Sequence, residues 1–190
     1  MTIAALLSHL GIQVPRYVTV DGLVVGGVVP PSVTGTQVKP ARFHGGEDPV
    51  RRDGTPWWIA DPAAAVADVT DMASRFPHFM PVRDQDEYVW IGTIDTGRGR
   101  FPIRVAHHTE RSLPTITVPG RRLGRSKRGL WQEPPHTYLS GALCVAGVDD
   151  WDATDTTSTA VAWAAQWLAA YTQWRTSGTW PTPGHDRAVR

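Results

Sequence analysis

Cysteine is almost missing from this chain of 190 residues, which has a single one, Cys144. One thiol excludes an internal disulfide and any metal site built on two or more thiolates. Such low cysteine use also fits a reducing compartment, so we expect the protein in the cytoplasm.

Long apolar runs and an excess of one charge are missing as well. No apolar stretch approaches the about 18 residues that a membrane-spanning helix needs, and the N-terminus lacks the basic start of a signal peptide. The chain has 19 lysines and arginines against 18 acidic residues, which leaves a net charge of +1. We therefore expect no membrane association, and the near balance gives no general attraction to nucleic acid.

The motifs of nucleotide and metal sites are missing too. The glycine-bearing stretch DTGRGR at 95–100 lacks the Gly-Lys-Ser/Thr ending of a phosphate-binding loop. His107 and His108 are neighbours at the end of a predicted strand, where consecutive side chains point to opposite faces. They cannot both bind one metal ion, so we expect neither a cofactor nor a metal.

The chain does contain enough apolar material for one sizeable core, since 41% of its residues are hydrophobic and 19% are charged. We expect residues 59–190 to form the main domain and residues 1–58 to be an extension. In that extension, residues 2–10 read as a short helix, and Asp21-Gly22 separates two valine-rich runs in the manner of a hairpin. Residues 30–56 carry five prolines and several glycines, which predicts a long loop or linker.

The main domain opens with a helix signal at 61–76, where Asp61 can cap the first turn and Pro62 suits its first position. Its predicted apolar stripe is Val66, Val69, Met72 and Phe76. Three strand-like runs follow between residues 88 and 118, which predicts an antiparallel meander.

A long alanine-rich helix is predicted at 154–175, ending at Ser177-Gly178. Four aromatic residues recur along it at spacings of four, four and three, which places them on one face. This stripe serves either core packing or a ligand platform. The order of helix, strands, loop and long helix indicates an α+β domain. The stripe consists of Trp163, Trp167, Tyr171 and Trp174.

The stretch PPHTYLSGALC at 134–144 carries the single cysteine. Two prolines hold the backbone extended before His136, and Ser140-Gly141 permit a reversal, so residues 136 and 144 can approach one another. Cys144 is then either a small buried apolar residue or a nucleophile with an imidazole nearby.

This stretch resembles the active-site segment of ubiquitin-conjugating enzymes, and most closely that of their bacterial branch, which has His where the eukaryotic enzymes have Asn. The first His of the family's His-Pro-Asn triplet is replaced here by Pro134. The resemblance covers about residues 60–182 and includes the tryptophan-rich end of the chain. The residues that match the segment after that departure are Pro135, His136, Tyr138, Gly141, Cys144 and Trp151.

The resemblance implies a ubiquitin-conjugating (UBC-like) fold and a role in bacterial anti-phage operons, notably CBASS systems. Cys144 would carry a protein C-terminus as a thioester, either that of a ubiquitin-like protein or that of a cGAS-like nucleotidyltransferase. The acyl group would pass to an amine of a protein or small-molecule acceptor. We expect no adenylating domain in this sequence, so either a separate activating enzyme is a further partner or activation is dispensed with.

Roles for the neighbouring residues stay open at this point. His136 would stabilise the tetrahedral oxyanion, accept the proton of the incoming amine, or only brace the loop. Tyr138 would order the loop, and Trp151 would stand at the family's tryptophan position. Asp149 and Asp150 either attract an incoming lysine or are ordinary solvated acids.

Two other functions compete with conjugation. The same fold occurs in modules that only position partners, and a Cys/His peptidase would use the same two residue types. The stretch GRRLGRSKRG at 120–129 is a solvated loop by default, but it could also dock an acidic partner, with nucleic acid a lesser option.

Overall fold

The computed structural model describes residues 14–27, 34–84 and 87–181, so the helix predicted for residues 2–10 lies outside the described residues. None of the helices in these ranges is long and apolar enough to cross a membrane. The elements run in the order β1 (Arg16–Thr19), β2 (Val24–Gly26), β3 (Gly35–Gln37), α1 (Trp57–Ala60), α2 (Pro62–Arg75), β4 (Met80–Asp84), β5 (Glu87–Asp95), β6 (Arg100–Ala106), β7 (Thr115–Thr117), β8 (Arg125–Lys127), β9 (Leu130–Gln132), a 3-10 turn (Val148–Asp150) and α3 (Thr157–Ser177).

The central sheet is an antiparallel meander of four strands in the order β4-β5-β6-β7. The three predicted strands are confirmed as β5, β6 and β7. The structure adds β4 at the edge, which the sequence analysis missed because Pro81 interrupts it and because Met80 and Val82 are exposed. An edge strand tolerates proline since one of its sides forms no ladder.

Helix α2 begins as predicted, because the Asp61 side chain accepts a hydrogen bond from the Ala64 amide at 3.0 Å and Pro62 follows it. Its predicted stripe is partly wrong. Met72 is buried, but Val66 is 66% exposed and Asp68 is buried in its place. The helix is rotated toward Asp68 because that carboxylate binds groups inside the core.

Helix α3 lies in the middle of the molecule. It packs against β1, β2 and β3 on one side and contacts β6 and α2 on others, and its aromatic stripe is buried, which favours core packing over a ligand platform. A helix that is apolar all round is a buried helix. It ends at Gly178, which has the left-handed conformation (φ 83°) of a helix C-cap.

The N-terminal sheet has the strand order β2-β1-β3, and its first two strands form the hairpin predicted around Asp21-Gly22. Val18, Phe43 and Trp57 belong to the same hydrophobic core as α3. The boundary after residue 58 stays a prediction. Within the described residues, the segments before and after it share one core. Mixed helices and antiparallel sheets make the fold α+β, as predicted.

The basic stretch at 120–129 is not simply a solvated loop, because its second half enters the β8–β9 hairpin. Lys127 pairs with Leu130, so the turn consists of Arg128 and Gly129, which have φ values of 52° and 79°. Positive φ at both central residues is the mark of a type I′ turn, whose twist suits a hairpin.

A buried polar cluster connects α2 to the start of α3. The Asp68 carboxylate accepts hydrogen bonds from the Thr157 amide (2.6 Å), the Thr157 hydroxyl (2.7 Å) and the Tyr88 hydroxyl (2.8 Å). His107 Nε2 lies 2.7 Å from the same threonine hydroxyl. Burial lowers the pKa of His107 to about 4, although the nearby Asp68 charge acts in the opposite direction. His107 is therefore neutral in the folded protein at neutral pH.

We expect the free energy of unfolding to fall as the pH drops from about 6.5 toward 4. In this range His107 is protonated in the unfolded state but stays neutral in the folded state. Above this pH range His107 is neutral in both the folded and the unfolded state, so its contribution to the free energy of unfolding no longer changes with pH. His107→Gln should remove part of this slope, measured by urea unfolding at a series of pH values, and the double variant with His108→Gln should remove more, because burial also lowers the pKa of His108 to about 4. An unaltered slope in His107→Gln would contradict the assignment.

Candidate active site

The loop that carries Cys144 doubles back on itself. The Tyr138 amide donates to the Ala142 carbonyl at 2.9 Å, and Gly141 at the tip has a φ of 85°. The Cys144 amide donates to the His136 carbonyl at 3.1 Å. The predicted approach of residues 136 and 144 is thereby confirmed for their backbones.

The carbonyl oxygen of His136 has a second donor, the indole Nε1 of Trp167 at 2.9 Å. His136 reaches this position with a φ of 58°, a left-handed conformation that costs a residue with a side chain of the order of 1–3 kcal/mol. The two hydrogen bonds and the packing of its ring hold it there. One residue of the buried stripe on α3 therefore fixes the backbone of the cysteine loop.

The sulfur of Cys144 is covered. The residue has no exposed surface, and its thiol donates weakly to the Ala146 carbonyl at 3.8 Å, with the Tyr138 hydroxyl and the His44 amide as neighbouring donors. Burial raises the pKa of the Cys144 thiol above its ordinary value, and those two donors act in the opposite direction. Of the two alternatives for Cys144, this conformation shows the buried one, and its role as a nucleophile stays a prediction.

The imidazole of His136 is turned into the protein. Its Nδ1 donates to the His44 carbonyl at 2.7 Å, which fixes the proton on Nδ1 when the ring is neutral. The ring lies between Phe43 and Trp180, with centroid separations of 6.0 and 5.1 Å. These contacts match the bracing role among the three alternatives for His136.

Residues 43–48 were missed as part of the site, because they were interpreted as linker. His44 contacts both site residues, with its amide on the sulfur and its carbonyl on His136. Gly45 permits this approach, since a Cβ there would lie 3.3 Å from the Thr137 carbonyl oxygen. The sequence contains no usable signal for this segment. The run His-Gly-Gly-Glu-Asp at 44–48 has no hydrophobic periodicity, so it predicted neither a helix nor a strand.

Asp48 holds the tip of the cysteine loop from the same side. Its carboxylate accepts hydrogen bonds from the Ser140 amide at 3.1 Å and the Ser140 hydroxyl at 2.5 Å. The Leu139 amide donates to the Gly46 carbonyl at 2.9 Å, so the two segments run side by side. The tip is fixed by long-range contacts as well as by its own turn.

The remaining predicted residues divide by position. Asp149 is exposed, whereas the Asp150 carboxylate accepts hydrogen bonds from the Gly147 amide (2.9 Å) and the Arg42 amide (3.1 Å). Asp150 is therefore a loop brace and not a free acid. Trp151 is half-buried, with its ring 6.2 Å from that of Trp163, and Pro135 is half-buried beside His136.

Two grooves of about 420 Å³ each meet at Tyr138. The first groove lies between the cysteine loop (137–141) and the basic segment at 121–123. The second groove is bordered by residues 49–52, residues 108–115 and Trp151. Tyr138 lines both grooves, and Cys144 lines neither of them.

The described residues offer no metal centre, because they contain no group of three or more histidine, cysteine, aspartate or glutamate residues placed to hold an ion. His107 and His108 bind different hydroxyls, those of Thr157 and Thr115.

Comparison with known proteins gives one match. A family model described as type II CBASS E2 protein matches residues 68–187, which is 120 of the 190 residues and includes Cys144 and the whole of α3. This chain belongs to the type II CBASS E2 family. No curated protein and no solved structure matches it.

Family membership confirms the resemblance read from the cysteine loop, and it gives the chain an E2-like role in CBASS antiviral defence. The match begins inside α2 and so leaves out residues 43–48. In this type II CBASS E2 protein, part of the wall of the candidate site thus comes from outside the matched region.

The role of Trp167 in holding the loop can be tested by Trp167→Phe, which keeps a ring in the core and removes the donor to the His136 carbonyl. We expect the free energy of unfolding to fall by about 1 kcal/mol. Because the loop opens more readily, labelling of Cys144 by a disulfide reagent should become about five-fold faster.

Trp163→Phe is the matched control, since its indole donates to the Lys39 carbonyl at 2.8 Å, away from the cysteine loop. It should cost similar stability without faster labelling of the thiol. Equal labelling rates in the two variants would contradict the role given to Trp167.

Proposed function

We propose that this protein carries an activated carboxyl end as a thioester on Cys144 and transfers it to an amine. The donor is the C-terminal tail of a ubiquitin-like protein or of a cGAS-like nucleotidyltransferase, activated by a separate enzyme. The observation that carries the proposal is the placement of the chain's single thiol, within the family match, on a loop whose His136 carbonyl is held by the Cys144 amide and the Trp167 indole.

The proposed reaction has two acyl transfers. In the first, the Cys144 thiolate attacks the carbonyl carbon of the activated carboxyl end, a carbon–sulfur bond forms and the activating group leaves. In the second, an acceptor amine attacks the same carbon, a carbon–nitrogen bond forms, the sulfur leaves as thiolate and the nitrogen loses its proton. No cofactor takes part in either step.

Exposure of the sulfur is part of this proposal. Tyr138 is half-buried where the two grooves meet, so rotation of its side chain would open the thiol to both of them. His136, Trp167 and Asp48 hold the loop backbone through contacts that do not involve the tyrosine ring.

Roles for the other residues follow from their contacts. His136 is proposed as a positioning residue, acting through its carbonyl and its bond to His44. The His44 amide, which does not depend on the position of the Tyr138 side chain, is the proposed donor for a developing oxyanion. Of the two acids, the exposed Asp149 is the one placed to attract an amine.

The test is adduct formation by the purified protein with the partners encoded beside its gene, ATP and an activating enzyme. We expect an adduct on Cys144 that thiol reagents cleave. Cys144→Ser should give an ester that resists them, and Cys144→Ala should give none. Absence of any adduct, together with full phage resistance in cells carrying Cys144→Ala, would defeat the proposal.

A non-catalytic binding module is the second candidate, favoured by the burial of Cys144 and its raised thiol pKa. It requires Cys144→Ala to keep every biological activity. A peptidase of the papain type lacks such support, since its nucleophile opens a helix. Here α3 begins at Thr157, well after Cys144, and the His136 ring contacts Phe43 and Trp180.

A further inference from the structure

Positive charge is concentrated beside the cysteine loop. Residues 120–133 contain five lysines and arginines and one acid, Glu133, while the rest of the chain has 14 such cations and 17 acids. A nearly neutral protein thus has a basic segment beside the cysteine loop, in addition to the three arginines of the second groove, Arg51, Arg52 and Arg111. The basic segment includes a wall of the first groove.

Two arginines of that wall are held in place by aromatic rings. The Arg121 guanidinium lies 4.8 Å from the Phe101 ring centre and donates to the Arg100 carbonyl at 3.1 Å. Arg122 lies 5.1 Å from the Trp131 ring centre and 3.4 Å from Glu133. Within the described part of the chain no acid pairs with Arg121, so its charge faces the groove uncompensated.

The rest of the first groove suits a peptide. Val118, Leu123 and Pro134 supply apolar surface, and Leu139 on the rim is 67% exposed. Its volume of about 420 Å³ lies in the range of pockets that hold small ligands and short segments. The opposite wall is the cysteine loop with Tyr138, so an occupant of the groove contacts the residue that covers the thiol.

We propose that the first groove binds an extended acidic peptide that also carries apolar side chains, and that this peptide is the tail of the acyl donor. Only the identification of this peptide with the donor tail rests on the proposed function. The choice of an acidic peptide with apolar side chains follows from the charge and the apolar surface of the groove. Arg121 and Arg122 bind its carboxylates, and Leu123 and Leu139 contact its apolar side chains.

Nucleic acid fits the first groove less well. A single strand needs cations along its whole track and aromatic platforms for its bases. On the cysteine-loop wall Tyr138 is the only aromatic residue and there are no cations. The other residues of that wall are Thr137, Leu139, Ser140 and Gly141.

The test uses the full chain with Cys144→Ala and three fluorescent eight-residue peptides, in which leucine alternates with glutamate, glutamine or lysine. Fluorescence anisotropy should show that the glutamate peptide binds at least about ten-fold more tightly than the glutamine peptide, and less tightly as salt rises. Arg121→Glu and Arg122→Glu should each remove most of this difference.

The control is Arg16→Glu, an equal change of charge at an exposed position on β1, outside the groove. It should bind like the parent, and thermal melts should show all variants folded. Equal binding of the glutamate and glutamine peptides, an equal loss in Arg16→Glu, no binding at all, or displacement of the peptide by a single-stranded oligonucleotide would each overturn the proposal.

A parallel adduct assay in the protein with Cys144 intact separates this inference from the proposed function. If the glutamate peptide binds but no thiol-sensitive adduct forms, the peptide-binding groove is supported and the conjugating function is contradicted. If adducts form at the parent's rate in Arg121→Glu and Arg122→Glu, the function stands and the groove assignment fails.

Discussion

The carbonyl oxygen of His136 is the point on which the site depends. It accepts one hydrogen bond from the amide of Cys144 and one from the indole of Trp167, so it joins the cysteine loop to the buried face of α3. That helix in turn contacts the N-terminal sheet and the central sheet. The position of the sulfur is therefore set by the core of the protein and not by the loop alone.

The environment of the thiol combines two opposed effects. Burial disfavours the thiolate, while the Tyr138 hydroxyl and the His44 amide stabilise it by donating hydrogen bonds. A sulfur so placed is protected from solvent and small oxidants until Tyr138 moves. Tyr138 also lines both grooves beside the cysteine loop.

Local patterns in the sequence predicted the elements that local chemistry determines. Asp21-Gly22 marked a hairpin, Asp61-Pro62 marked the start of α2, and the spacing of aromatic residues marked α3. The missed features are long-range. Segment 44–48 has no periodic pattern, yet it forms one wall of the site, and the turn chemistry around Tyr138 does not indicate that its hydroxyl reaches the sulfur. The burial of Asp68, which rotates α2, likewise depends on Thr157, far along the chain.

The most direct test of this account is an NMR titration of the cysteine Cβ, labelled with carbon-13 at the single Cys144, in the parent protein and in Tyr138→Phe. Burial should give the Cys144 thiol a pKa above the ordinary value. Because the Tyr138 hydroxyl stabilises the thiolate, the pKa should rise further in Tyr138→Phe. A pKa at or below the ordinary value, unchanged by Tyr138→Phe, would contradict the account.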